Sequence, residues 1–309
     1  MPKPRIAVLV PCYNEEAAIA VVIDGFRAAL PGADIYVYDN NSKDRTVEVA
    51  RAAGAVVRTE TLQGKGNVVR RMFADVDADL YIMVDGDSTY HAASAPKLVD
   101  LLLDQQLDMV VGARVDTETA AYRPMHRLGN RVLTGFVAEL FGARFTDILS
   151  GYRVFSRRFV KSFPALSQGF EIETELTVHA LELRMPIAEL ATPYGARPEG
   201  STSKLSTFRD GFKILMTILN LFRGERPLAF FNIVFAVLAL VSLGLSLPLA
   251  ITYIETGLVP RLPTAVLATS IMLLAFLSLA CGFILDTVTH GRREMKRLAY
   301  LAIPATSRD

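Results

Sequence analysis

The sequence predicts an α/β domain with a mostly parallel sheet, followed by an amphipathic juxtamembrane helix and a two-helix transmembrane hairpin. Three observations carry this prediction. Short apolar runs alternate with helix-length segments over the first two hundred residues, the pattern of repeated βα units. Polar clusters stand directly after three of those runs, at the strand ends where ligands of such sheets bind. Two long stretches near the C-terminus carry no charge, and each is long enough to cross ~30 Å of hydrocarbon as a helix.

Strands are expected at Arg5 to Val10, Asp34 to Tyr38, Val56 to Arg58, Leu80 to Val84 and Asp108 to Val111, as short apolar runs bounded by polar or turn residues. Helices are expected between them, at Glu15 to Leu30, Lys43 to Ala53, Gly66 to Asp75 and Pro96 to Gln105. The clusters that follow strands are Pro11-Cys12-Tyr13-Asn14-Glu15, Asp39-Asn40-Asn41-Ser42 and Asp85-Gly86-Asp87. The last is the most informative. Gly86 lets the backbone turn sharply where a buried strand emerges, so that Asp85 and Asp87 can converge on one ligand. Hard carboxylate oxygens suit Mg²⁺ or Mn²⁺, which take one or two carboxylates and leave other positions to phosphates and water. An isolated D-x-D is common in solvated loops; three polar clusters at one edge of one sheet are harder to dismiss.

Other nucleotide motifs fail. No G-x-G-x-x-G follows the first strand, which argues against a dinucleotide oxidoreductase. Gly64-Lys65-Gly66 lacks the upstream glycine and the hydroxyl residue of a Walker loop, although Lys65 could still offer a point charge to a phosphate. A net charge of +1 suggests no nucleic-acid partner. Cys12 and Cys281 fall in the expected cytosolic domain and a membrane span, so no disulfide or metal cluster is expected.

Leu228 to Ile254 and Thr264 to Leu285 are the two uncharged stretches, and Glu255 to Pro263 joins them as a short hairpin loop. Lys204, Arg209, Lys213, Arg223 and Arg226 precede the first and Arg292, Arg293, Lys296 and Arg297 follow the second, whereas the loop carries only Arg261. The positive-inside rule then places both termini and the catalytic domain in the cytoplasm. Ile6 to Val10 is too short for a signal peptide. Ser206 to Phe222 aligns Phe208, Phe212, Leu215, Leu219 and Phe222 on one stripe, which suits either the headgroup plane or the catalytic domain as its seat. The expected divisions are a catalytic domain over 1–205, an interfacial region over 206–227, the hairpin region over 228–290 and a basic tail over 291–309. The hairpin could support a homo-oligomer, but no small-x-x-x-small pair marks one.

The three polar clusters, Gly64-Lys65-Gly66, and Asp147-Ile148-Leu149-Ser150-Gly151-Tyr152-Arg153 together resemble the family 2 glycosyltransferases of GT-A (Rossmann-like) fold, over roughly Ile6 to Leu205. Within that group the chain is most similar to polyprenyl-phosphate glycosyltransferases, relatives of dolichyl-phosphate mannose synthase. The resemblance implies that Pro11, Tyr13, Glu15, Asp39 and Asn41 bind the nucleotide-sugar donor with Lys65 and Asp85. Asp85 and Asp87 would face the metal and diphosphate, and Asp87 and Asp147 would be catalytic. Thr89 takes the place where relatives often carry Gln, and Asn40 the place of a second Asp.

The acceptor implied is polyprenyl phosphate at the bilayer surface. Arg127 and Arg131, spaced i, i+4 on an expected helix, could grip one anionic group together. Ser150, Arg153, Arg197 and Lys204 complete the acceptor-phosphate set by resemblance. Asp147 is expected to position Arg131 or Lys204, with base catalysis secondary, because a phosphomonoester with a second pKa of ~6 is already a nucleophile at neutral pH. Among Glu171, Glu173 and Glu175, the family comparison favours Glu175 as the acid near the site. The four scattered histidines suggest no chemistry. A polysaccharide synthase of the same fold is disfavoured, since the chain has no Trp for a Q-x-x-R-W motif. A membrane-tethered nucleotide-sugar binder without turnover is the remaining alternative.

Overall fold

The computed structural model describes residues 4–116, 146–169, 171–197 and 222–306, with the isolated positions 135, 216, 219 and 220. The chain divides into two units, Met1–Ile214 with Met295–Asp309, and Leu215–Glu294.

In the first unit the elements run β1 (Ile6–Cys12), α1 (Ile19–Ala29), β2 (Asp34–Asp39), α2 (Thr46–Ala52), β3 (Val56–Thr59), α3 (Lys65–Asp75), β4 (Leu80–Met83), α4 (Ala95–Asp104), β5 (Met109–Asp116), β6 (Arg153–Ser156), α5 (Arg157–Ser162), α6 (Ile172–Glu182) and β7 (Ile187–Tyr194). Among the described residues the strands form one sheet in the order β3-β2-β1-β4-β6-β5-β7. All neighbours are parallel except β6, which runs antiparallel to both β4 and β5. The fold is the expected mostly parallel α/β sheet. The sequence reading differs most in the second half of the sheet. It stops the fifth strand at Val111, whereas β5 continues to Asp116, and it omits β6 and β7. β6 is only four residues long and contains a charged residue, and Ile187 to Tyr194 mixes exposed and half-buried positions, so neither reads as a buried run.

Both faces of the sheet are covered, which is why its central strands read as continuous apolar runs. Along β1, Ala7 and Leu9 join Met72, Phe73, Phe155, Phe159 and Leu176 in one cluster. Val8 and Val10 join Ile23, Phe26, Leu98, Leu102 and Tyr152 in the other. Such a side chain contributes ~1.5–3 kcal/mol when fully buried.

His179 of α6 lies inside the first layer. Its ring packs edge-on against Phe159 and Phe163, Nε2 is 3.1 Å from Ser162 Oγ, and Nδ1 has no hydrogen-bond partner. Burial, reinforced by the nearby Lys296 ammonium, pulls its pKa down to about 3. The folded protein thus keeps His179 neutral where the unfolded chain, titrating near 6.5, takes up a proton. Its contribution is whole above pH ~6.5 and declines as pH falls toward about 3, by ~1.4 kcal/mol per pH unit. In acid unfolding, His179→Gln should flatten the loss of stability between pH 6 and 4; an unchanged slope would remove His179 as its source.

The C-terminal segment also belongs to this unit. Tyr300 OH donates to Asp108 Oδ2 at 2.8 Å and stacks beneath Arg158, whose guanidinium also grips fully buried Asp108. Lys296 reaches Glu182 at 2.7 Å, and Thr306 Oγ1 donates to the carbonyl of Asp79.

The second unit holds α7 (Pro227–Thr256) and the greater part of α8 (Leu262–Leu301), two helices long and apolar enough to cross a membrane. Their apolar side chains point outward, with Leu240 69% and Ile254 83% exposed, unlike the core helices of a water-soluble protein. Within the pair, Ser242 Oγ donates to the carbonyl of Ala268 at 2.8 Å. A Cβ on Gly282 would lie 2.9 Å from Phe231 Cβ, so glycine allows the close approach there. α8 extends well past Leu285, because the basic stretch after that residue continues the same helix. Most of 206–222 falls outside the described residues.

Candidate active site

In the order β2-β1-β4 the chain reverses direction at β1, so the crevice beyond the carboxyl ends of β1 and β4 is the switch point where open α/β sheets bind ligands. The loops after β1, β2 and β4 meet there. Asn14, at φ +53°, accepts from Lys43 N through Oδ1 and donates its own N–H to Ser42 Oγ. Glu15 N donates to Thr46 Oγ1 at 2.8 Å. Pro11 and Tyr13 are half-buried on this clamp, while the residues Glu15 and Asp39 are buried. Asp39 accepts from Ser42 N. Asn40 acts as a strut: Nδ2 donates to the carbonyls of Glu60 and Leu62, and Oδ1 accepts from Gly64 N. Neutral amide chemistry supplies both roles, which a carboxylate could not. Asn41, at φ +65°, donates to the carbonyl of Thr61 and to Gln63.

Gly86 carries no side chain because a Cβ there would lie 2.6 Å from Cys12 Sγ. On one side of it Asp85, 30% exposed at its side chain, receives Lys65 Nζ at 2.5 Å. The same ammonium pairs with Glu173 of α6, a buried carboxylate. Burial pulls Lys65 down, but Asp85 and Glu173 together outweigh it and hold the ammonium charged well above the usual lysine range. On the other side Asp87, nearly buried, accepts from Thr89 N and from Thr89 Oγ1 at 2.6 Å, and receives Arg197 Nη2 at 2.7 Å. Thr89 therefore orients Asp87.

A second segment, 146–151, closes on the first. Asp147 is held by Arg114, Nε to Oδ2 at 2.6 Å and Nη2 to Oδ1 at 2.7 Å. Glu189 accepts from the backbone N–H groups of Thr146 and Asp147. Gly151 N donates to Tyr90 OH at 2.9 Å, and a Cβ on Gly151 would lie 2.5 Å from Asp85 Oδ2. The glycine is what lets this turn lie against the acid.

Several expected residues stand elsewhere. Ser150 and Arg153 are fully buried, with Ser150 Oγ donating to the carbonyl of Gly112 and Arg153 to those of Ser150 and Ile148 and to Thr177 Oγ1. They brace the turn and cannot reach an acceptor without leaving the core. Arg197, expected on the acceptor phosphate, lies on Asp87. Glu175 accepts from the N–H groups of Leu166 and Ser167, so Glu173 is the acid that enters the site: α6 begins at Ile172, which turns Glu173 inward. Asp147 has Arg114 as its partner; Arg127, Arg131 and Lys204 lie outside the described residues. Arg114 was not singled out in the sequence, although it follows the apolar run of β5 as Asp85 follows that of β4.

The profile of Glycosyl transferase family 2 matches residues 7–163. The chain belongs to that family. The glycosyltransferase is 34% identical over 305 residues to glycosyltransferase AglJ of Haloferax volcanii, covering 97% of this chain and 100% of the relative. It is 29% identical over 221 residues to a dolichyl-phosphate hexose transferase of the same organism, covering 72% and 95%. Among solved structures, it resembles Mycobacterium tuberculosis glucosyl-3-phosphoglycerate synthase in complex with Mn²⁺, UDP-glucose and phosphoglyceric acid, with TM-score 0.58 and 26% identity over 71% of this chain and 79% of that one. In this glycosyltransferase the oxygen-only pair Asp85 and Asp87 fits a hard divalent cation, which needs no more than two carboxylates when phosphates supply the remaining ligands.

Proposed function

We propose that this glycosyltransferase moves a hexose-type sugar from a UDP- or GDP-sugar to polyprenyl phosphate at the cytoplasmic membrane face, with inversion at the anomeric carbon. The observation that carries the choice of acceptor is the state of Asp147: both its oxygens are engaged by Arg114, a poor arrangement for a base that must take a hydroxyl proton. A phosphate acceptor, with its second pKa of ~6, needs no such base. The two candidate spans and the similarity to a dolichyl-phosphate hexose transferase support a lipid carrier. The region 1–205 would be catalytic, 206–227 would lie at the interface, and 228–290 would anchor the chain, leaving 291–309 as a cytoplasmic tail.

In this reading Pro11, Tyr13, Glu15, Asp39 and Asn41 hold the nucleoside. Asp85 and Asp87 would hold Mg²⁺ or Mn²⁺, which when bound would offset charge on the departing diphosphate. Lys65 and Arg197, now paired with those two acids, would turn to phosphate oxygens once the acids had a new partner. Arg127, Arg131 and Lys204 would draw in the lipid phosphate. Gly151 and Thr89 fix the directions of Asp85 and Asp87.

The reading is tested by incubating membranes that contain the protein with radiolabelled nucleotide-sugars and polyprenyl phosphate, then extracting lipids. Metal-dependent label in a mild-acid-labile lipid is expected. Label released as free sugar at the same rate with or without the lipid would overturn it, as would no turnover across a donor panel.

A further inference from the structure

Glu173 lies between two buried cations. Its Oε1 pairs with Lys65 Nζ, and its Oε2 is buried without a hydrogen bond. Its own carbonyl accepts from Thr177 Oγ1 at 3.1 Å, and Thr177 Oγ1 in turn accepts from Arg153 Nη1 at 2.8 Å. Arg153 also binds the carbonyls of Ile148 and Ser150, in the turn that sets Asp147 and Gly151. Among the described residues Arg153 makes no hydrogen bond to a carboxylate. Glu173 therefore holds the donor-side lysine with its side chain and, through its backbone carbonyl and Thr177, neighbours the arginine that braces the opposite turn, although neither the D-x-D motif nor the turn contains it.

Among the described residues Lys65 pairs with two carboxylates, and they are not equivalent. Asp85 is partly exposed at the sheet edge, whereas Glu173 is enclosed, its side chain 5% exposed. A divalent cation on Asp85 would compete with the ammonium for the same oxygen and repel it. A lysine held by Asp85 alone would then either block the cation or be driven away from the phosphates it should meet. With Glu173 as a second anchor, Lys65 can release Asp85 and stay in place.

Resting on the donor site proposed above, we infer that Glu173 is a positioning residue that frees Asp85 for the metal and retains Lys65 as a phosphate-facing cation. Glu173→Gln keeps the shape and removes the charge. The purified full-length protein is titrated with Mn²⁺ in the presence of UDP or GDP, bound ion being read by electron paramagnetic resonance, alongside steady-state kinetics. The variant should bind Mn²⁺ about tenfold more weakly and show a raised KM for the nucleotide-sugar, with KM for polyprenyl phosphate unchanged. Mn²⁺ affinity within twofold of the parent, or an effect confined to the lipid KM, would overturn the inference. If Glu173→Gln does not fold, the double variant Lys65→Met/Glu173→Met decides, since it replaces the buried pair with apolar side chains. It should recover near-parental Mn²⁺ binding, the competitor being gone, while the donor KM stays at least tenfold high; an unchanged donor KM would overturn the inference. A parent protein that binds no Mn²⁺ with either nucleotide would sink the donor-site reading itself, and the inference with it.

Discussion

Asp87→Asn should reduce sugar transfer by at least about 10³-fold at saturating metal, with little change in folding. The amide can still accept from Thr89 N and Oγ1, so the loop keeps its shape. What disappears is the negative charge that now faces Arg197 and would face a metal-bound diphosphate. A group that stabilises charge as it develops on a leaving group, in a nearly dry site, is worth several kcal/mol in the rate. Initial rates at increasing Mn²⁺, with a thermal scan of the same sample, separate the two effects. Activity within tenfold of the parent would remove Asp87 from the chemistry. The companion change Thr89→Val should cost far less, because it takes away an orienting hydroxyl and leaves the carboxylate.

Gly66→Ala is expected to be strongly damaging to the catalytic unit. A Cβ at this first turn of α3 would overlap Ser167 O, lie 2.6 Å from Ser167 C and 2.9 Å from Gln168 C. All three are backbone atoms, so no side chain can swing aside, and the Gly66 N–H to Gln168 carbonyl bond at 3.0 Å would be strained as well. Overpacking of this kind costs about 1–3 kcal/mol, and in a domain of this size each kcal/mol lowers Tm by roughly 2–4 °C. A drop of roughly 2–12 °C in detergent is expected. Because Lys65 precedes Gly66, the same shift would pull its ammonium from Asp85 and Glu173, and nucleotide affinity should fall with stability. A variant that melts with the parent and binds nucleotide normally would show that segment 167–168 can yield.

The central sheet and the Asp85-Gly86-Asp87 motif were legible in the sequence because burial on both faces writes a strand as an uninterrupted apolar run, and polarity returns where the strand ends. The antiparallel β6 was not legible. Its stability comes from pairing with β4 and β5 on both sides, and four residues with a leading arginine carry no period of their own. The same residue misled the site reading, since arginine is seldom fully buried and Arg153 is satisfied by backbone carbonyls that only the folded turn supplies. The Arg114 to Asp147 pair joins residues 33 apart in sequence across a stretch whose length says nothing about where its ends meet. Glu173 and Glu175 differ only in helical register, which is fixed by where α6 starts.

The anchoring of Tyr300 and Thr306 bears on how a water-soluble fragment could be made. Cutting the chain ahead of Pro227 discards the apolar helices, but it also strips Asp108 of its phenol partner and bares the aromatic and aliphatic surface that Tyr300 covers. The unit that carries the site is thus assembled from segments that precede and follow the apolar helices in the sequence. A shortened version would need its last dozen residues grafted back, or a polar replacement for the patch they shield.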